Sequence, residues 1–143
     1  MGCFGRPNTN MAETTLVKEA LTQEMIDIGK ELAQQLTKTW ISVSAVFWLY
    51  SPESNLWRFI VGSPDVKTQG PRRVYQEIQK ILTQSSQKYQ HIALQDIDVF
   101  GPEHPLVSWL KVASKPKKDT SDTRFVRHVV NGHFIEDAYI YQI

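Results

Sequence analysis

Phe125-Val-Arg-His-Val-Val-Asn-Gly-His-Phe-Ile-Glu-Asp-Ala-Tyr-Ile-Tyr141 (FVRHVVNGHFIEDAYIY) is the stretch whose reading decides the fold. Asn131-Gly132 lies between two runs that can extend, and this pair specifies a two-residue type I′ hairpin because both residues tolerate positive φ. The turn fixes the register. Val130 faces His133, Val129 faces Phe134, His128 faces Ile135 and Arg127 faces Glu136. Strict alternation then puts Phe125, Val129, Phe134, Ala138 and Ile140 on one face, with an Arg127–Glu136 pair. Val126, His128, Val130, His133, Ile135, Asp137, Tyr139 and Tyr141 fall on the other.

Upstream, Ile41 to Tyr50 (ISVSAVFWLY) and Leu56 to Gly62 (LWRFIVG) read as strands joined by the turn Ser51-Pro-Glu-Ser-Asn55. Both are apolar on nearly both faces. Such strands are central and covered on each side, or are covered on one side by a second subunit. Leu94 to Phe100 alternates and reads as a strand with Asp96 and Asp98 on its wet face.

Three helices complete the pattern. The first runs from Thr14 or Thr15 to about Thr39, with Val17, Leu21, Met25, Ile28, Leu32 and Leu36 as its apolar stripe. Gly29 in its interior costs about 1 kcal/mol relative to alanine, which implies a close contact or a bend. The second begins at Pro71, a residue favoured at the first helical position, and buries Val74, Tyr75, Ile78, Ile81 and Leu82. The third starts at Pro105 with Leu106, Trp109, Leu110 and Ala113 on its apolar side. The expected fold is α+β, in the order α-β-β-α-β-α-β-β, with a mainly antiparallel sheet and helices packed on it. Whether the last hairpin joins the sheet of the first is left open.

The chain has 143 residues and a formal net charge of +1. That length suits one domain and buries roughly two thirds of the unfolded surface without metal or disulfide. Residues 1–12 are read as a disordered leader or a foreign remnant, and 13–143 as the domain. The near-neutral charge excludes a global field that would recruit nucleic acid or an anionic membrane. The single cysteine, Cys3, suits a reducing compartment and a cytoplasmic location. No apolar run approaches the length of a membrane span.

Candidate chemistry is sparse. Two arginines, Arg72 and Arg73, stand in the first turn of the second helix, where the backbone already carries partial positive charge. With Lys67 they form a candidate anion site, although no P-loop spacing accompanies them. Lys115, Lys117 and Lys118 lie in a polar segment before the last hairpin. They extend that candidate toward nucleic acid or another phosphate-bearing ligand. The alternative is that all six are solvated.

Asp96, Asp98, His128 and Asp137, with His133, form the only candidate metal-ligating or acid–base set. It works only if the two strand faces meet. No nucleophile elbow or dinucleotide fingerprint is present, and no cofactor is expected. Trp48, Tyr50, Trp57, Tyr139 and Tyr141 exceed what a small core needs and are the candidate interface of a homodimer or protein complex. A non-enzymatic binding or regulatory module, probable as a homodimer, leads. A phosphate or nucleic-acid binder and a small metal-dependent hydrolase or nuclease are the alternatives.

Overall fold

The computed structural model describes residues 17–114 and 122–143. The proposed leader and Lys115, Lys117 and Lys118 lie outside the described residues.

The fold is α+β, built on one five-stranded sheet. Helix α1 spans Gln23–Leu36. Strands β1 (Ala45–Ser51) and β2 (Leu56–Gly62) form the first hairpin, with Ser51 opposite Leu56 and Ala45 opposite Gly62. Asn55 closes that turn at φ 54°, a left-handed value that asparagine tolerates better than most residues. A short helix α2 (Asp65–Thr68) and helix α3 (Pro71–Gln84) lead to a 3-10 turn at Leu94–Asp96 and strand β3 (Ile97–Phe100). Helix α4 (Pro105–Ser114) precedes the hairpin of β4 (Thr123–Val130) and β5 (His133–Gln142). The strand order is β3-β2-β1-β5-β4, so the two hairpins share one sheet. All pairings are antiparallel except β2 with β3, which are parallel and joined by the crossover through α3.

Helix α1 starts eight or so residues later than the periodicity predicts. Thr22 caps it, its Oγ1 accepting from the Met25 N–H at 3.1 Å. Residues 17–22 instead form a strap over the β1–β2 turn. Trp57 Nε1 donates to the Glu19 carbonyl at 2.8 Å, and Asn55 Nδ2 donates to the Val17 carbonyl at 3.0 Å. Those carbonyls serve the sheet's side chains and not a helical ladder, and Val17 is exposed instead of buried. The predicted strand from Leu94 also shortens. Asp96 accepts from the Ala93 N–H at 2.9 Å and holds the 3-10 turn, so Asp96 and Asp98 do not share a strand face.

Both faces of the central strands are covered by the chain itself. On one side α1 and α3 bury Leu32, Leu36, Val74 and Ile78 against Val46, Trp48, Phe59 and Val61. On the other, Val107 and Leu110 of α4 pack on Phe47, Ile60, Ala138 and Ile140. Each large side chain fully removed from water contributes about 2–3 kcal/mol before entropy is counted. Among the described residues no helix is long and apolar enough to cross a membrane.

The last hairpin keeps the predicted register from Val130–His133 to Thr123–Ile140, with one departure. The ladder skips Arg127 and Glu136, and Arg127 adopts φ 47°. Val130 and Ile135 consequently join the same apolar cluster as Phe125, Ala138 and Ile140. Strict alternation would place them on opposite faces, so the face assignment is corrected at this kink. The expected Arg127–Glu136 pair gives way to a Glu136 contact with Lys18 at 3.9 Å.

Candidate functional site

Helix α3 carries Arg72, Tyr75, Gln76 and Gln79 at i, i+3, i+4 and i+7, a single stripe beside its buried face. This stripe and Pro71 face Leu94 across an open groove of about 500 Å³. The groove forms because β3 is an edge strand whose outer side α3 only partly covers. Tyr75 spans the gap, its Oη accepting from the Val99 N–H at 3.3 Å and satisfying an edge donor. At the helix start Gly70 sits at φ 89°, a conformation glycine adopts without strain, and supplies no capping side chain. Arg72 is exposed at the rim, and among the described residues no carboxylate pairs with it.

The other predicted anion-binding residues do not converge there. The Arg73 guanidinium lies 5.8 Å from the Trp40 ring centroid and donates to Gln69 Oε1 at 3.4 Å. Trp40 in turn donates to Glu77 Oε1 at 3.0 Å, which ties this side of α3 to the segment after α1. Lys67 is exposed on α2. The structure therefore sets Arg72 apart from its neighbours and gives it an apolar floor.

The predicted interface aromatics are corrected. Trp48, Tyr50 and Trp57 are 1%, 8% and 6% exposed, because α1 and the strap cover them. Tyr139 and Tyr141 are half-buried at the margin of the same core. Tyr139 donates to Asp122 Oδ2 at 2.8 Å, and burial together with that carboxylate pushes its phenol up to about 12. Tyr141 donates to the Ile26 carbonyl at 2.6 Å and accepts from Trp48 Nε1 at 3.0 Å, with burial raising its pKa further. The large apolar residues left bare on the hairpin are different ones: Val126, Val129 and Phe134, at 48%, 65% and 59% exposure.

The predicted acid–base and metal set is dispersed. Asp98 forms a two-bond ion pair with Arg58 at 3.0 and 2.9 Å, which raises the Arg58 pKa. Asp96 holds its own turn, and His128 packs beside Phe125 with ring centroids 4.9 Å apart. Strands β3 and β4, which carry Asp98 and His128, are the opposite edges of the sheet. Asp137 accepts from Arg124 Nε at 2.9 Å, Arg124 Nη2 at 2.8 Å and Lys18 Nζ at 2.8 Å. Burial alone would raise its pKa, but these two cations outweigh it and hold the carboxyl below its ordinary value. Among the described residues no three His, Cys, Asp or Glu side chains are grouped to hold a metal ion. The hydrolase reading required convergence and is withdrawn on this geometry.

Sequence reasoning missed Leu94 as a groove wall and Lys18 as a partner of Asp137. It also missed the stacking of Trp109 on His133, with centroids 3.5 Å apart, which ties α4 to the tip of the last hairpin. Leu94 had no signal beyond its apolarity, since its position depends on the parallel placement of β3. Comparison with protein-family models, characterised proteins and solved structures returns no match to the chain.

Proposed function

We propose that the chain is a non-catalytic binding module that takes a small anion-bearing ligand in the α3 groove. The observation that supports this most is Arg72, an arginine at the rim of an apolar groove whose lining otherwise lacks charge. Small-molecule sites pair an apolar lining with a few orienting polar groups in this way, at volumes of roughly 300–1,000 Å³. A nucleic-acid strand needs a row of cations along its backbone, whereas Arg73 and Lys67 do not line the groove. The lone cysteine favours a reducing compartment, and we place the module in the cytoplasm on that ground.

The test uses anilinonaphthalene sulfonate, a fluorescent probe with an aromatic body and one sulfonate. Arg72→Gln is expected to weaken probe binding about tenfold, the worth of one charge-assisted contact. Added salt should weaken wild-type binding more than that of the variant. Equal affinity of the two proteins for the probe overturns the reading. A parallel Phe134→Ser variant identifies probe bound at the hairpin, which would count against the groove.

A second proposal concerns self-association. Val126, Val129 and Phe134 are bare apolar side chains of the β4–β5 hairpin, and β4 is an edge strand. Left-handed Arg127 interrupts the edge itself, which disfavours strand-to-strand addition and leaves the apolar side chains as the contact. Light scattering at micromolar concentration is expected to report a dimer that Val129→Ser with Phe134→Ser converts to monomer. A wild-type monomer at that concentration removes the proposal.

A further inference from the structure

We infer that the α3 groove takes a linear aliphatic carboxylate, its head on Arg72 and its chain against Pro71, Tyr75 and Leu94. This rests on the groove reading above and adds the class of ligand. Three observations carry it.

The first is the balance of the lining. Pro71, Tyr75 and Leu94 offer carbon surface, and the polar groups are Arg72 and two glutamines. A phosphate monoester carries nearly two charges and calls for several donors. A sugar or base calls for an array of hydrogen bonds, and the lining has few groups to make one. One monovalent head with an apolar body matches the inventory.

The second is polarity along the groove. Arg72 lies at the N-terminal end of α3 and Gln79 two turns further on, with no charged side chain among the lining residues between them. The helix dipole adds partial positive charge at the Arg72 end, so both electrostatic contributions favour the anion there and the apolar chain toward Gln79. The third is shape. From Arg72 to Gln79 the helix advances about 10 Å, and the groove is open along its length. Its volume of about 500 Å³ suits a medium-length chain.

The experiment is calorimetric titration of the protein with hexanoate, octanoate and decanoate, with decanol and adenosine monophosphate as comparators. Affinity is expected to rise about fourfold for each methylene buried, until the groove is filled. Decanoate should bind about tenfold more tightly than decanol, and Arg72→Gln should erase that difference while leaving decanol unchanged. Leu94→Asn should flatten the chain-length series, whereas Phe134→Ser should not.

Tighter binding of adenosine monophosphate than of octanoate overturns the ligand class and leaves the groove reading standing. A chain-length series abolished by Phe134→Ser and untouched by Leu94→Asn moves the binding to the hairpin and overturns the inference. Failure of every carboxylate, while the sulfonate probe still binds through Arg72, overturns the aliphatic class alone. Failure of all of them, the sulfonate included, overturns both readings.

Discussion

Gly29→Ala is expected to destabilise the protein by about 3 kcal/mol, although alanine is the better helix former by about 1 kcal/mol. Packing decides the sign. A Cβ at position 29 would stand 2.6 Å from Trp48 Nε1 and closer still to the Tyr141 hydroxyl. Trp48 is 1% exposed and cannot retreat. The Tyr141 hydroxyl is fixed by its donation to Ile26 and its acceptance from Trp48. Moving it breaks two hydrogen bonds in a covered site, at about 1–3 kcal/mol for each group left unpaired. Overpacking adds about 1–3 kcal/mol. The sum exceeds the propensity gain even at the low ends of these ranges. Denaturant midpoints of Gly29→Ala, Tyr141→Phe and the double variant check the mechanism. Removing the hydroxyl vacates the space, so the double variant should lose less than the two single losses combined. A neutral or stabilising Gly29→Ala would show that α1 does not rest on Tyr141.

Asp137→Ala is the second large effect, expected to cost about 3 kcal/mol. Its carboxylate is 3% exposed and joins two cations in one cluster. Removing one member of a buried ion pair costs roughly 3–5 kcal/mol. The lower end applies here, because Lys18 and Arg124 are 36% and 41% exposed and can recover some hydration.

The cluster also sets a pH dependence. The native pKa of Asp137 lies below its unfolded value, so its contribution is complete above the unfolded pKa of about 4. It is lost as the pH falls through the native pKa, where the folded carboxylate must take up a proton. Urea unfolding across that acid range should therefore show a steeper loss of stability in the wild type than in Asp137→Asn. Identical slopes for the two proteins would remove Asp137 from the acid limb.

Much of the fold was legible because local chemistry and tertiary structure agree. Asn131-Gly132 set the register of the last hairpin, Pro71 set the start of α3, and the two-faced apolarity of Phe47, Trp48, Phe59 and Ile60 announced central strands. Gly29 signalled a close contact, and Trp48 and Tyr141 supply it. The errors share a cause. Val17 and Leu21 continue a helical stripe on paper, but Asn55 and Trp57 compete for the backbone of the strap. Arg127 and Glu136 face each other by counting, yet one left-handed residue turns the hairpin's faces over. The aromatic surplus looked like an interface because sequence reading could not see α1 and the strap lying over Trp48, Tyr50 and Trp57. The groove was half legible. Arg72 stood out by its charge, but its floor depends on Leu94 arriving beside α3 through a parallel crossover.

The pairing of β1 with β5 constrains how the molecule is made. Phe47, Trp48 and Leu49 find their partners at Ile140, Tyr139 and Ala138, strand residues synthesised after all the others in the sheet. A nascent chain that has emerged only as far as β4 holds β1 with one side unzipped and no tyrosine beneath α1. Translation must therefore run ahead of sheet closure, and the slow search expected of distant contacts follows it. Until β5 docks, Phe47 and Trp48 are the surfaces that a chaperone would hold.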